Sequence, residues 1–244
     1  MIINCDIGER GPDHPVDVAL MDWIQMANIA CGGHAGDEKS VNAFRSRAEK
    51  TNVKIAAHLS YPDRDNFGRT SMDISIDKLK TSLSEQISML PDVRCVKFHG
   101  ALYNDSVVNH QLAEGLTEWL YEHNMQQIVT PNGSELAITC KKAEIECIHE
   151  AFAERRYDYN PEAQRLTLVS RKKDYASISD CQEALEHSEL IIKSGQVMAF
   201  VEKSDGTLER KSIPIRAETL CIHSDSTIAL ELAQGLKQLI ESGS

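Results

Sequence analysis

The sequence predicts an α/β fold, a seven-stranded parallel (β/α) barrel with an elaborated connection before its last strand. Three observations predict it. Seven short apolar runs alternate with stretches of helical periodicity, the alternation that builds a parallel sheet. The chain has 244 residues, the size of one closed barrel. Nearly every apolar run ends in polar or titratable residues, as expected where the C-terminal mouth of a barrel carries a site.

The elements follow in order. The first strand, 2–7, ends Asn4-Cys5-Asp6-Ile7-Gly8-Glu9, and a short helical stretch at 21–25 leads to the second, 27–31. That strand opens into Gly32-Gly33-His34-Ala35-Gly36-Asp37 and a helix over 40–50. The glycines allow a sharp turn, Asp37 can cap the helix, and the free N–H groups of its first turn favour an anion. Strand three, 53–58, ends at His58, ahead of the loop Tyr61 to Arg69. A helix over 76–90 has Leu79, Leu83, Ile87 and Leu90 on one face. Strand four, 94–99, carries Lys97 and His99 and runs into Tyr103-Asn104. A helix over 109–121, strand five at 127–130, a helix over 135–143 and strand six at 145–150 follow. Residues 151–218 break the rhythm with a helix over 180–193 and a hairpin, 197–202 and 208–213, turned at Ser204-Asp205-Gly206-Thr207, a two-residue turn signal. This stretch reads as an insertion, so residues 1–244 are expected to form a single domain. Strand seven, 219–223, ends His223-Ser224-Asp225, and a helix over 226–240 closes the pattern.

The net charge of −11 and pI near 5.3 argue against non-specific binding to nucleic acid or anionic membrane. The sequence holds no 18-residue apolar run, and its first residues show no basic, then apolar leader. Its seven cysteines include no C-x-x-C pair and read as buried thiols in a reducing compartment. A soluble, cytoplasmic protein is expected. P-loop and dinucleotide-binding glycine fingerprints, H-E-x-x-H and G-x-S-x-G are absent.

Residues two apart on a strand share a face, so Asn4 and Asp6, Lys97 and His99, and His223 and Asp225 point together. So many polar strand ends at one mouth need partners, and a site supplies them. A lysine inside a barrel strand needs a carboxylate or a ligand anion. Asp6, His34, His58 and His99 leave two readings open: a zinc, manganese or iron site, or hydrogen-bonded rim residues. Asp63 and Arg69 lie in a loop that reads either as a substrate lid or as solvated surface. Arg155 and Arg156 read either as anion ligands or as surface charge.

Asn4 to Glu9, Ala27 to Asp37, His58 to Asp63 with Phe67-Gly68-Arg69, Val96 to Asn104, Glu150 to Tyr157 and Cys221 to Asp225 together resemble the LamB/YcsF family, in order and over nearly the whole chain. The chain departs from the family pattern at Gly33, Leu59, Thr70, Phe98 and Ser224, while the titratable groups remain. The resemblance implies a barrel of the glycoside hydrolase/deacetylase type. It also implies a hydrolase that opens 5-oxoproline to glutamate with ATP and Mg²⁺ or another divalent metal, together with two partner subunits resembling PxpB and PxpC. On that reading Asp6, Lys97 and His99 are catalytic, and Asp6, His34 and His99 ligate the metal. Substrate or phosphate contacts fall to Asn28, His34, Gly36, Asp37, His58, Asp63, Arg69, Tyr103, Asn104, Arg155, His223 and Asp225. His34, His58 and His99 would relay protons, and Lys97→Ala is expected to abolish turnover with the fold intact. The alternative is a metal-dependent amide hydrolase or deacetylase that uses no ATP and acts on a carbohydrate or other small amide. A third reading is a non-catalytic binding subunit.

Overall fold

A computed structural model describes residues 1–203 and 205–242. The elements are β1 (Ile2–Ile7), α1 (Pro15–Leu20), β2 (Met26–Ala30), α2 (Glu38–Thr51), β3 (Lys54–Leu59), α3 (Ile76–Ile87), β4 (Cys95–Phe98), α4 (Gly100–Val108), α5 (His110–Glu122), β5 (Gln127–Thr130), α6 (Glu135–Lys142) and β6 (Glu146–Phe152). They continue with β7 (Tyr157–Asn160), β8 (Arg165–Leu168), α7 (Cys181–Ser194), β9 (Gln196–Glu202), β10 (Leu208–Pro214), β11 (Thr219–His223) and α8 (Ala229–Ser242).

Seven strands close a barrel in the order β1-β11-β6-β5-β4-β3-β2, every neighbouring pair parallel. Alternation along each strand sorts the side chains. Ile3, Cys5 and Ile7 of β1 join the main core, which includes helix residues such as Phe44, Leu83, Trp119 and Leu232. A separate apolar cluster of Met26, Ala56, Cys95 and Val129, with Ile2 and Ile148 against it, forms a floor. Asn4, Asn28, His58, Lys97 and Glu150 each stand two residues beyond a floor residue on the same strand, and so face the same way one layer nearer the mouth.

Four details differ from the sequence reading. The first helix is α1, begun by Pro15, whose fixed φ and missing N–H suit a first turn; the expected helix over 21–25 is not formed. A helix, α4, precedes α5 and starts at Gly100, with φ +59 and a pro-Cβ position only 2.4 Å from the Gly68 carbonyl oxygen, so a side chain there would collide. β6 continues to Phe152, which places Glu150 inside the strand. The insertion holds more than one hairpin. β7 and β8 pair antiparallel, β7 pairs parallel with β9, and β9 pairs antiparallel with β10, giving a four-stranded sheet β10-β9-β7-β8. The expected β9–β10 hairpin is present, with Asp205 accepting from the Thr207 N–H; Ser204 of its turn lies outside the described residues. No helix among the described residues is long and apolar enough to cross a membrane.

Candidate functional site

A cavity of about 630 Å³ opens at the C-terminal mouth, lined by Asp6, His58, Lys97, His99, Tyr103, Glu150 and His223 among others. Its other wall comes from the insertion, residues Leu166 to Lys172.

Lys97 is the centre of its base. The ammonium lies 3.0 Å from Asp6 Oδ1 and 2.9 Å from Glu150 Oε1, and donates also to Asn4 Oδ1 at 3.2 Å and Cys221 Sγ at 3.1 Å. Asn4 Nδ2 donates to Glu150 Oε1 and Thr219 Oγ1, Asn28 Nδ2 to Asn4 Oδ1 and Asp6 Oδ1, and the Tyr103 hydroxyl to Glu150 Oε2. Lys97 is 2% exposed, so its charge is tolerable only because two carboxylates stand beside it. Burial alone would lower the lysine, but Asp6, Cys221 and Glu150 hold it well above its usual value. Burial alone would raise Asp6, but His58 and Lys97 hold it well below the usual carboxylate range. The ion pair stays charged.

Beside it, from His58 in the same layer outward to the mouth, lie Glu9, His34, His58 and His99, whose ligand atoms all fall within 4.8 Å of one another. His58 Nδ1 is 3.1 Å from the Lys97 carbonyl oxygen, and His99 Nε2 is 3.1 Å from the Phe67 carbonyl oxygen. A carbonyl only accepts, so each of those nitrogens carries the proton. In neutral rings the other nitrogens, His58 Nε2 and His99 Nδ1, are then lone pairs. They face each other at 2.9 Å, with Asp6 Oδ2 3.2 Å from His58 Nε2. Glu9 Oε1 completes the group, 2.9 Å from His34 Nε2, 3.5 Å from His99 Nδ1 and 3.9 Å from His58 Nε2. Burial and the neighbouring His34 and His58 keep His99 well below its usual pKa, and burial and His58 do the same to His34. Glu9 is pushed up to about 7, first by burial and then by Asp6. Two facing lone pairs beside a carboxylate suit a cation. The three-imidazole, one-carboxylate set matches zinc, manganese or iron better than Mg²⁺, which prefers oxygen and water. The His34 ring stacks on His99 at 3.7 Å and 2°, and Phe67, held at φ +54, sets its ring edge-on to both. A non-glycine residue in that region is strained; here it aims both its carbonyl and its ring at the histidines.

The sequence-predicted residues divide. Asp6, Asn28, His34, His58, Lys97, His99, Tyr103 and His223 meet in or around the cavity, and Arg69, Asn104 and Arg155 line it. Asp37 does not reach the site. Its carboxylate accepts from Ser40 N–H and Oγ in a capping box on α2, so that helix start is occupied by its own cap. Gly36, at φ +81 and with no room for a Cβ beneath Ala30 O, makes the turn. Asp63 holds its own loop by accepting from Asn66 N–H and Nδ2. The Arg155 guanidinium donates to the carbonyls of Val169 and Ala176, tying down the insertion, and Arg156 pairs with Glu183. Asp225 pairs with Arg69 at 3.2 Å, both largely exposed.

Sequence reasoning did not assign roles to Glu9, Glu150 and Glu154. Glu9 lies past Gly8, at φ +80, beyond any strand alternation; it joins the three histidines, while Asp6 falls in a second group of possible metal ligands with Cys221 and His223. Glu150 could have been found from Lys97, since a buried lysine demands a second carboxylate.

The sequence model of the LamB/YcsF family matches residues 1–244. A protein of Pseudomonas syringae pv. tomato, named as a 5-oxoprolinase A-type subunit, is 34% identical over 99% of this chain and 94% of its own length. A protein of Clostridium beijerinckii with the same kind of name is 32% identical, over 98% and 93%. Among solved structures, a lactam utilization protein from Thermus thermophilus superposes with a TM-score of 0.82 at 26% identity, covering 100% of this chain and 96% of that one.

Proposed function

The chain belongs to the LamB/YcsF family, and from that premise we propose that it is the A-type subunit of an ATP-dependent 5-oxoprolinase. The observation that carries the reading is the 34% identity over 99% of the chain to a protein bearing that name. A lactam is a stable amide. Opening it requires an activated ring carbonyl, water and charge neutralisation, and transfer of phosphate from ATP to the lactam oxygen supplies the activation. Overall, 5-oxoproline, ATP and two waters yield glutamate, ADP and phosphate. Lys97 and its carboxylates fix the charge at the cavity base, where the ammonium steadies negative charge developing on the substrate. Glu9, His34, His58 and His99 would hold a divalent metal, which when bound supplies a Lewis acid and lowers the pKa of water. Of the smaller assignments, Asn28, Tyr103 and Asn104 act on substrate position, and Arg69 and Asp225 act at the rim. ATP with its Mg²⁺ comes to the reaction with two partner subunits resembling PxpB and PxpC, since the relatives are named as subunits, which implies an assembly. Residues 1–244 are read as one domain, and the seven free cysteines fit a reducing cytoplasm.

The test is glutamate and ADP release from 5-oxoproline and ATP by the chain alone and with both partner subunits. Turnover in the full mixture only supports the reading. No glutamate in any mixture overturns it. The nitrogen-rich metal cluster also favours a second reading, a metal-dependent amide hydrolase, which predicts amide cleavage by the metal-loaded chain alone without ATP.

A further inference from the structure

Beside Asp6, on the strand that pairs with β1 away from β2, β11 ends in His223, and the chain just after β6 carries Glu154. The Glu154 side chain is almost fully buried. Its Oε1 accepts two hydrogen bonds, from the His223 backbone N–H at 2.6 Å and from His223 Nδ1 at 2.7 Å. Oε1 accepts from both donors, so Nδ1 carries the imidazole proton and, in the neutral form of the ring, Nε2 is a lone pair; Glu154 Oε2 is buried with no partner among the described residues. His223 lines the cavity, and Nε2 has no hydrogen-bond partner among the described residues. The ring stacks against Phe152, 5.6 Å between centroids and 15° between planes. It is therefore held in position, in tautomer and against an apolar face. The Phe152 ring also lies 5.4 Å from the Lys97 ammonium, so the dyad and the lysine network share one wall.

We propose that Glu154 and His223 form a general-base dyad for the lactam-opening step, His223 as the catalytic residue and Glu154 as the residue that positions it. This rests on the 5-oxoprolinase reading. The substrate at that point is the lactam phosphorylated on its oxygen, whose ring carbon is doubly bonded to nitrogen. A water O–H bond breaks, its proton passes to His223 Nε2, and the water oxygen bonds to the ring carbon. The electron pair of the C=N π bond moves onto the ring nitrogen. The imidazolium then returns the proton to that nitrogen as the C–N bond breaks and nitrogen keeps its electrons. As the hydroxyl loses its proton to solvent and the carbonyl re-forms, solvent gives a second proton to the departing nitrogen, leaving an NH2 amine and an acyl phosphate that a second water hydrolyses. Glu154 keeps its hold on Nδ1–H and steadies the imidazolium, the role a buried carboxylate plays behind a catalytic histidine.

Removing the acceptor altogether, as in Glu154→Ala, leaves two donors unpaired and confuses folding with chemistry. Glu154→Gln keeps an oxygen in place and removes the charge, and so is the working variant. The complex reconstituted with both partner subunits is assayed with wild type, Glu154→Gln, His223→Gln and the double variant. The expected result is a loss of about 100-fold or more in kcat for each, KM unchanged, and no further loss in the double variant, since residues acting as one unit are non-additive. A structural role would move stability without that kcat signature. In parallel, ¹⁵N NMR of the full chain reads the His223 tautomer directly, with Nδ1–H expected. An Nε2–H tautomer, or a Glu154→Gln kcat within twofold of wild type, overturns the dyad. If wild type opens no 5-oxoproline, the substrate reading fails, while the NMR tautomer still decides the dyad.

Discussion

Two groups of polar side chains sit side by side in this barrel, the upper reaching further out to the mouth, and they are finished to different degrees. In the lower, Lys97 meets oxygen from Asn4, Asp6 and Glu150 as well as Cys221 Sγ, and both oxygens of Glu150 are engaged. Among its amides and charges the unpaired exception is Asn28 Oδ1. In the upper, His58 Nε2 and His99 Nδ1 stand 2.9 Å apart with the other nitrogen of each ring already held by a backbone carbonyl, His34 Nδ1 has no partner among the described residues, and the Glu9 carboxyl is pushed up to about 7. Asn28 Oδ1 apart, the lower group needs nothing from outside. The upper becomes satisfied only when a proton or a cation enters it. A saturated network sets a field; an unsaturated one binds.

The largest expected effect breaks the lower group. Lys97→Met strands two buried carboxylates, so it should cost about 3–5 kcal/mol in denaturant unfolding as well as abolishing turnover. That outcome would run against the expectation that Lys97 can be replaced with the fold intact. Next, His58→Ala and His99→Ala in the upper group should each weaken zinc or manganese binding by at least about 100-fold, measured by metal titration. They should destabilise the metal-free chain less than Lys97→Met does. If either proves as destabilising as the lysine change, the contrast between the groups is wrong.

A smaller effect concerns pH. Metal binds the ionised Glu9, so affinity should rise about tenfold per pH unit up to about 7, where the carboxyl loses its proton, and level off above. For the metal-free chain the sign reverses. A carboxyl raised in the folded state contributes stability fully present below its unfolded value and lost as pH rises through about 7. Glu9→Gln should remove both dependences, read by calorimetry and by unfolding on either side of that value. The smallest effect lies at the rim. The exposed Arg69–Asp225 pair should be worth under about 1 kcal/mol to stability, so Asp225→Asn should leave unfolding unchanged and register, if anywhere, in KM.

Much of this was legible in the sequence because strands impose a strict rule. Once residues 2–7 or 95–98 are read as strands, alternation alone puts Asn4, Asp6 and Lys97 on a common inner face. What escaped lies where that rule stops. Glu9 and Glu154 stand just beyond a strand end, where a positive-φ glycine or a turn decides direction. Strands β7 and β8 are four residues each, with charged or polar residues interleaved, too short to show a period. Asp37 was misplaced for another reason: a loop aspartate before a helix serves a cap and an anion site equally well in sequence, and only the Ser40 contacts distinguish them.

The barrel's first strand is zipped between β2 and β11, and Asn4 finds its partners Glu150 and Thr219 146 and 215 positions further along. On the ribosome, β1 emerges early and then waits for the last strand, with one of its edges and the Asn4–Thr219 hydrogen bond open to water until then. Such distant pairings are slow to form, so the lysine network and barrel closure should appear together, late, in one cooperative step. A nascent chain halted before residue 219 would expose one edge of β6 and one edge of β1, the two surfaces a chaperone must shield.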